Sequence, residues 1–149
     1  MSETIVVGVD GSEGGAAALA FAAEEAALRQ AQLCIVSAWD VPASAYGGDF
    51  APAFDAETFD AFRERARQVA DEAAATAKQL QPSLEVEAVS VNGQPADALL
   101  AQGAEAELIV VGRRGLGGFK SLLLGSVSQQ VVHHATCPVV VVQQPATAQ

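Results

Sequence analysis

The chain has 149 residues, half of them apolar, with 18 acidic against 8 basic side chains and a formal net charge of −10 at pH 7. That length fits one domain with a core of its own, predicted over 1–149 with 143–149 as a frayed tail. The excess negative charge argues against duplex nucleic acid, whose binding rests on neutralising phosphates with Lys and Arg, and against an anionic membrane surface.

Thr4 to Val9 (TIVVGV) is short and β-branched and runs into Asp10-Gly11-Ser12, so it reads as strand one. Gly15 to Gln30 reads as a helix, with Ala16, Leu19, Ala23 and Ala27 on its inner side. Leu33 to Ala38 is strand two. Trp39 to Phe54, with Pro42, Gly47, Gly48 and Pro52, reads as a flap. Asp55 to Leu80 is the clearest helix, with Phe59, Phe62, Ala66, Val69, Ala73 and Leu80 on one stripe and Pro82 beyond its end. Leu84 to Val91 alternates apolar and polar residues, as a strand at a sheet edge does. Asn92-Gly93 is a turn, and Pro95 opens a short helix reaching about Gly103. Leu108 to Val111 is strand four, Ser126 to Ala135 a helix, and Thr136 to Val142 strand five.

This alternation predicts an α/β fold, a single open five-stranded parallel sheet with helices on both faces. No apolar run approaches the roughly 20 residues that span a bilayer. The strand-like start leaves no leader pattern, and Cys34 and Cys137 leave room for a single disulfide but not for a disulfide framework. The expected location is the cytoplasm. Cys34 reads as a small core residue and Cys137 as the more exposed thiol. His133 and His134 suit the end of a helix and have no metal-binding companions nearby in sequence.

The segment between strand four and the last helix carries the functional signal. Strand-to-helix loops are usually roughly 2–6 residues long, and this one is about twice that. Gly112, Gly115, Gly117, Gly118 and Gly125 allow a ligand close approach to bare N–H groups. Ser126 can cap the helix that follows, whose N-terminus carries partial positive charge. Arg113, Arg114 and Lys120 add cations, and together these make a cradle for phosphate oxygens. It is not a Walker A loop, because Phe119 stands where that motif requires glycine before Lys120-Ser121, and there is no G-x-G-x-x-G fingerprint. Asp10 reads as a helix-cap or turn residue, or as a group for magnesium or ribose; without a metal between them its carboxylate would repel phosphate. Ser12 is a local cap. Trp39, Tyr46 and Phe50 read as shielding for the sheet edge in preference to closing over a base.

The spacing Gly112, two residues, Gly115, nine residues, Gly125-Ser126 resembles that of the nucleotide-binding subgroup of universal stress proteins. The likeness extends to Val6–Gly15, to strand two, to Gly93–Ala96 and to Ala135–Val142. It implies strand order 3-2-1-4-5 in a Rossmann-like sheet, ATP across strands one and four, and a homodimer through strand five (Val139, Val140, Val141, Val142). Gly112, Gly115, Gly125 and Ser126 would meet the phosphates, with Arg113, Val127 and Ser128 beside them. Asp10 would sit by the ribose or a magnesium ion, Ala38 by the adenine, and Val9 along the adenine pocket. The expected function is an ATP-binding stress-response module acting on a regulatory partner, with no catalytic residues assigned. A dimeric scaffold without nucleotide and a slow magnesium-dependent ATPase are the alternatives.

Overall fold

A computed structural model describes residues 3–40, 56–113 and 124–143. Its elements are β1 (Thr4–Gly8), α1 (Glu13–Arg29), β2 (Gln32–Trp39), α2 (Ala56–Leu80), β3 (Val86–Asn92), α3 (Pro95–Gln102), β4 (Leu108–Gly112), α4 (Ser126–His134) and β5 (Val139–Val142). All pairings are parallel, in the order β3-β2-β1-β4-β5, as expected.

The central strands are continuous apolar runs because both of their faces are covered. Ile5, Val7, Leu33, Ile35, Leu108 and Val110 pack under α1 and α2. Val6, Cys34, Val36, Ile109 and Val111 pack on the opposite side with α3 and α4. The helices lie close: a Cβ on Gly8 would come 2.9 Å from Leu99 Cδ1 of α3. The sheet edges differ from the centre. β3 exposes Glu87, Ser90 and Asn92, whereas all four valines of β5 are half-buried.

Several boundaries depart from expectation. Trp39 belongs to β2 and packs edge-on against Phe59 at 4.8 Å between ring centroids, so it is a core residue and not the start of a flap. Residues 41–55, including Tyr46 and Phe50, lie outside the described residues. β3 begins two residues later than predicted, with Leu84 buried just before it. β5 begins at Val139, not Thr136: Pro138 has no N–H to donate, and its carbonyl takes the first contact, from Ile109 N–H at 3.0 Å. On α1 the buried face is Ala18, Leu19, Ala22, Ala23 and Ala26, while Ala16 is exposed. Phe62 and Leu80 of α2 are also exposed, the core positions being Ala66, Val69, Ala70, Ala73 and Ala77.

The chain winds from β1 to β2 to β3 in one direction and then crosses back, so the strand order reverses between β1 and β4. Ligands of open α/β sheets bind outside the carboxyl ends of the strands at such a point. Here Val7 pairs with Val110, which brings Asp10 and Gly112 to neighbouring strand ends.

A candidate ligand crevice between β1 and β4

The β1 side is a turn organised by its own side chains. Asp10 Oδ1 accepts the Ser12 N–H at 2.9 Å and the Ser12 hydroxyl. Ser12 Oγ in turn accepts the Gly15 N–H at 3.1 Å and caps α1, as predicted for that residue. Gly11 carries φ +87°, a conformation open to glycine at little cost. Asp10 therefore orients the cap of α1, and the carboxylate is exposed at the crevice mouth. Val9 continues the β1 ladder through its N–H to Val36 O at 3.0 Å. Its side chain packs with the α1 and α2 core, while half-buried Ala38 packs on the opposite face of the sheet.

The β4 side is built differently. Gly112 passes against the first turn of α1 so closely that a Cβ there would fall 2.6 Å from Gly14 O. The next residue, Arg113, uses its main chain on both sides. Its N–H donates to Val142 O at 3.0 Å, and its carbonyl accepts the Gly125 N–H at 2.8 Å. That carbonyl also takes the Ser128 hydroxyl at 2.8 Å, and Ser128 is buried. The two ends of the glycine-rich segment are thus tied together at Arg113. The resemblance gives Ser128 an N–H or hydroxyl contact with the ligand; here its hydroxyl closes the base of the loop, which leaves the N–H for that role. The only advance signal is its place in the first turn of α4, from which a short hydroxyl side chain can fold back on a preceding carbonyl.

Gly125, not Ser126, is the N-cap of α4, and no side chain among the described residues caps that end. Ser126 is the first helical residue and exposed. The first rung of the helix is Gln129 N–H to Gly125 O at 3.0 Å. The N–H groups of Ser126, Val127 and Ser128 accordingly have no partner inside the helix, the arrangement that accommodates an anion. Gly115 and residues 114–123 generally, with Arg114 and Lys120, lie outside the described residues.

The donor set suits a phosphate more than a bare metal. Among the described residues no group of three His, Cys, Asp or Glu side chains could hold an ion. Magnesium typically takes one or two carboxylates together with phosphate oxygens, so Asp10 alone fits it only in company with a nucleotide. Neither cysteine is activated: burial, with a smaller contribution from Glu87, pushes the Cys34 thiol up to about 11, and burial raises that of Cys137 as well. No described helix is long and apolar enough to cross a membrane.

This is a Rossmann-like α/β protein whose strand order reverses between β1 and β4. The chain belongs to the universal stress protein family, which it matches over residues 1–143. It is 41% identical over 145 residues to a universal stress protein of Thermus aquaticus, covering 96% of this chain and all of that one. It is 37% identical over 144 residues to Universal stress protein Rv2623 of Mycobacterium tuberculosis, but spans only 46% of that protein's length. A crystal structure of a universal stress protein in complex with cAMP superposes with a TM-score of 0.68 at 30% identity, covering 95% of this chain and 97% of that one.

Proposed function

We propose that the chain is an adenine-nucleotide-binding regulatory module that takes ATP, with magnesium, in the crevice between β1 and β4. The observation that carries this reading is the N-terminus of α4, which has glycine as its N-cap, presents three N–H groups and is tied to Arg113 at the carboxyl end of β4, the strand that pairs with β1. The cAMP held by a related universal stress protein supports the adenine part of the ligand. In this reading the phosphates lie on the main chain of Gly112, Gly115, Ser126 and Val127, with Gly125 letting them approach closely, Arg113 adding charge and Ser128 fixing the loop. Asp10 faces the ribose or the magnesium ion that neutralises the phosphates, and the base lies at the ends of β1 and β2, by the main chain of Val9 and Ala38. The nucleotide acts as a ligand that orders the loop and changes the surface shown to a regulatory partner, and the active form is a homodimer through β5.

The test is to denature the purified protein and identify what it releases by chromatography, then to titrate the emptied protein with Mg·ATP. Near-stoichiometric nucleotide or saturable ATP binding, abolished in Gly115→Val with the fold intact, is the expected result. An empty protein with no thermal shift at millimolar ATP overturns it in favour of a nucleotide-free scaffold.

A further inference from the structure

A crevice for a polyanion in a chain of net charge −10 needs cations aimed at it, and the β1 side supplies carboxylates instead, Asp10 and Glu13. Part of its main chain is engaged as well. Ser12 N–H is held by Asp10, Gly15 N–H by the Ser12 hydroxyl, and Ala16 N–H by Ser12 O at 3.0 Å. Residues 8–16 hold no Lys or Arg, so a cation on this side comes from another element.

The described basic residues are Arg29, Arg63, Arg65, Arg67, Lys78 and Arg113. Three are in ion pairs away from the crevice: Arg29 with Glu25 and Glu107, Arg63 with Asp60 at 2.6 Å, and Arg67 with Glu64 at 3.0 Å. Lys78 is in the last turn of α2. Arg113 follows β4, on the other side. Arg65 remains, and the sequence shows why it differs from its neighbours on α2. Helical ion pairs form between residues three and four apart. Around Arg65 those positions are Ala61, Phe62, Gln68 and Val69, none of them acidic. Its guanidinium reaches across to the β1 turn, with Nη2 3.4 Å from where a Cβ on Gly11 would stand. Gly11 is one residue from Asp10, at the crevice mouth.

We infer that Arg65 is a phosphate-contacting residue of the nucleotide site, the cation of its β1 side, reaching the ligand from α2 over Gly11. The inference rests on the nucleotide reading above and deepens it. Arg65 links the ligand to the helix that follows residues 41–55. Its planar, always-charged fork pairs bidentately with phosphate, which a lysine cannot do.

The experiment measures ATP and adenosine affinities by calorimetry for the parent chain, Arg65→Gln, Arg65→Lys and, as control, Arg63→Gln. Arg65 is exposed and glutamine is a good helix former, so the fold is expected to persist, as checked by circular dichroism. Arg65→Gln is expected to weaken ATP about tenfold or more, the scale of a lost hydrogen bond between charged groups. Arg65→Lys should recover part of that loss, with adenosine affinity unchanged throughout and Arg63→Gln indistinguishable from the parent. If the parent binds ATP and Arg65→Gln binds it equally well, or loses adenosine and ATP alike, the Arg65 assignment is overturned while the nucleotide reading stands. A parent chain that binds neither ligand overturns the nucleotide reading, and the assignment with it.

Discussion

At Gly112 the space for a side chain is taken by the backbone of Gly14, and backbone cannot swing aside as a flexible side chain does. Gly112→Ala is expected to destabilise by about 1–3 kcal/mol, the usual cost of overpacking, by prising β4 from the first turn of α1. Urea unfolding measures it, and nucleotide affinity should fall in parallel because the same displacement moves Arg113. Cys34 tests burial on the other face. Its folded thiol is held up at about 11, against an ordinary value of 9.0. The folded state therefore keeps its proton where the unfolded chain has lost it. Stability from this group is complete below pH 9 and is lost as pH rises through 11. Urea midpoints at about pH 8 and about pH 10.5 should differ more in the parent than in Cys34→Ala. A thiol reagent at neutral pH should label half-buried Cys137 before Cys34.

The two ends of the segment from β4 to α4 are tied at a single carbonyl. Arg113 O receives both the Gly125 N–H and the Ser128 hydroxyl, so a loop that begins at Gly112 is closed again at Gly125. Ser128→Ala removes one of those two donors and leaves the other. The expected cost is about 1 kcal/mol, seen as a lower denaturant midpoint, together with weaker nucleotide binding as the loop base loosens. If Ser128 instead touched the ligand through its hydroxyl, Ser128→Ala would weaken binding with no change in stability. The spacing Gly112, Gly115, Gly125-Ser126 marks this segment in the sequence. Which hydroxyl faces a ligand and which faces the backbone is set by the turn of α4 relative to β4, and the glycine pattern carries no information about that rotation.

Across the whole molecule the two sheet edges are treated oppositely. β3 carries exposed Glu87, Ser90 and Asn92, residues that discourage edge pairing, while β5 presents four half-buried valines and no charge. Val132 on neighbouring α4 is half-exposed. We propose that β5 pairs with a second copy about a two-fold axis. Light scattering at micromolar concentration should give a dimer for the parent and a monomer for Val141→Lys, with unchanged circular dichroism. A monomeric parent chain removes the proposal.

The sequence by itself determined the strands and the sheet class. Runs such as Ile5–Val7 and Leu108–Val111 are apolar without alternation, and that local pattern suffices for strands covered on both sides. It failed where every side of a helix looks alike: on α1, alanines surround the axis, so hydropathy could not separate buried Ala22 and Ala26 from exposed Ala16. It also missed Trp39, whose place in β2 depends on Phe59 of α2. Tertiary structure alone decided that Gly112 abuts Gly14, that Ser128 returns to Arg113, and that Arg65 lies over Gly11. Each of these contacts joins residues far apart in the chain. Such pairs meet only when the right-handed crossovers and the two packed faces have fixed where each element lies.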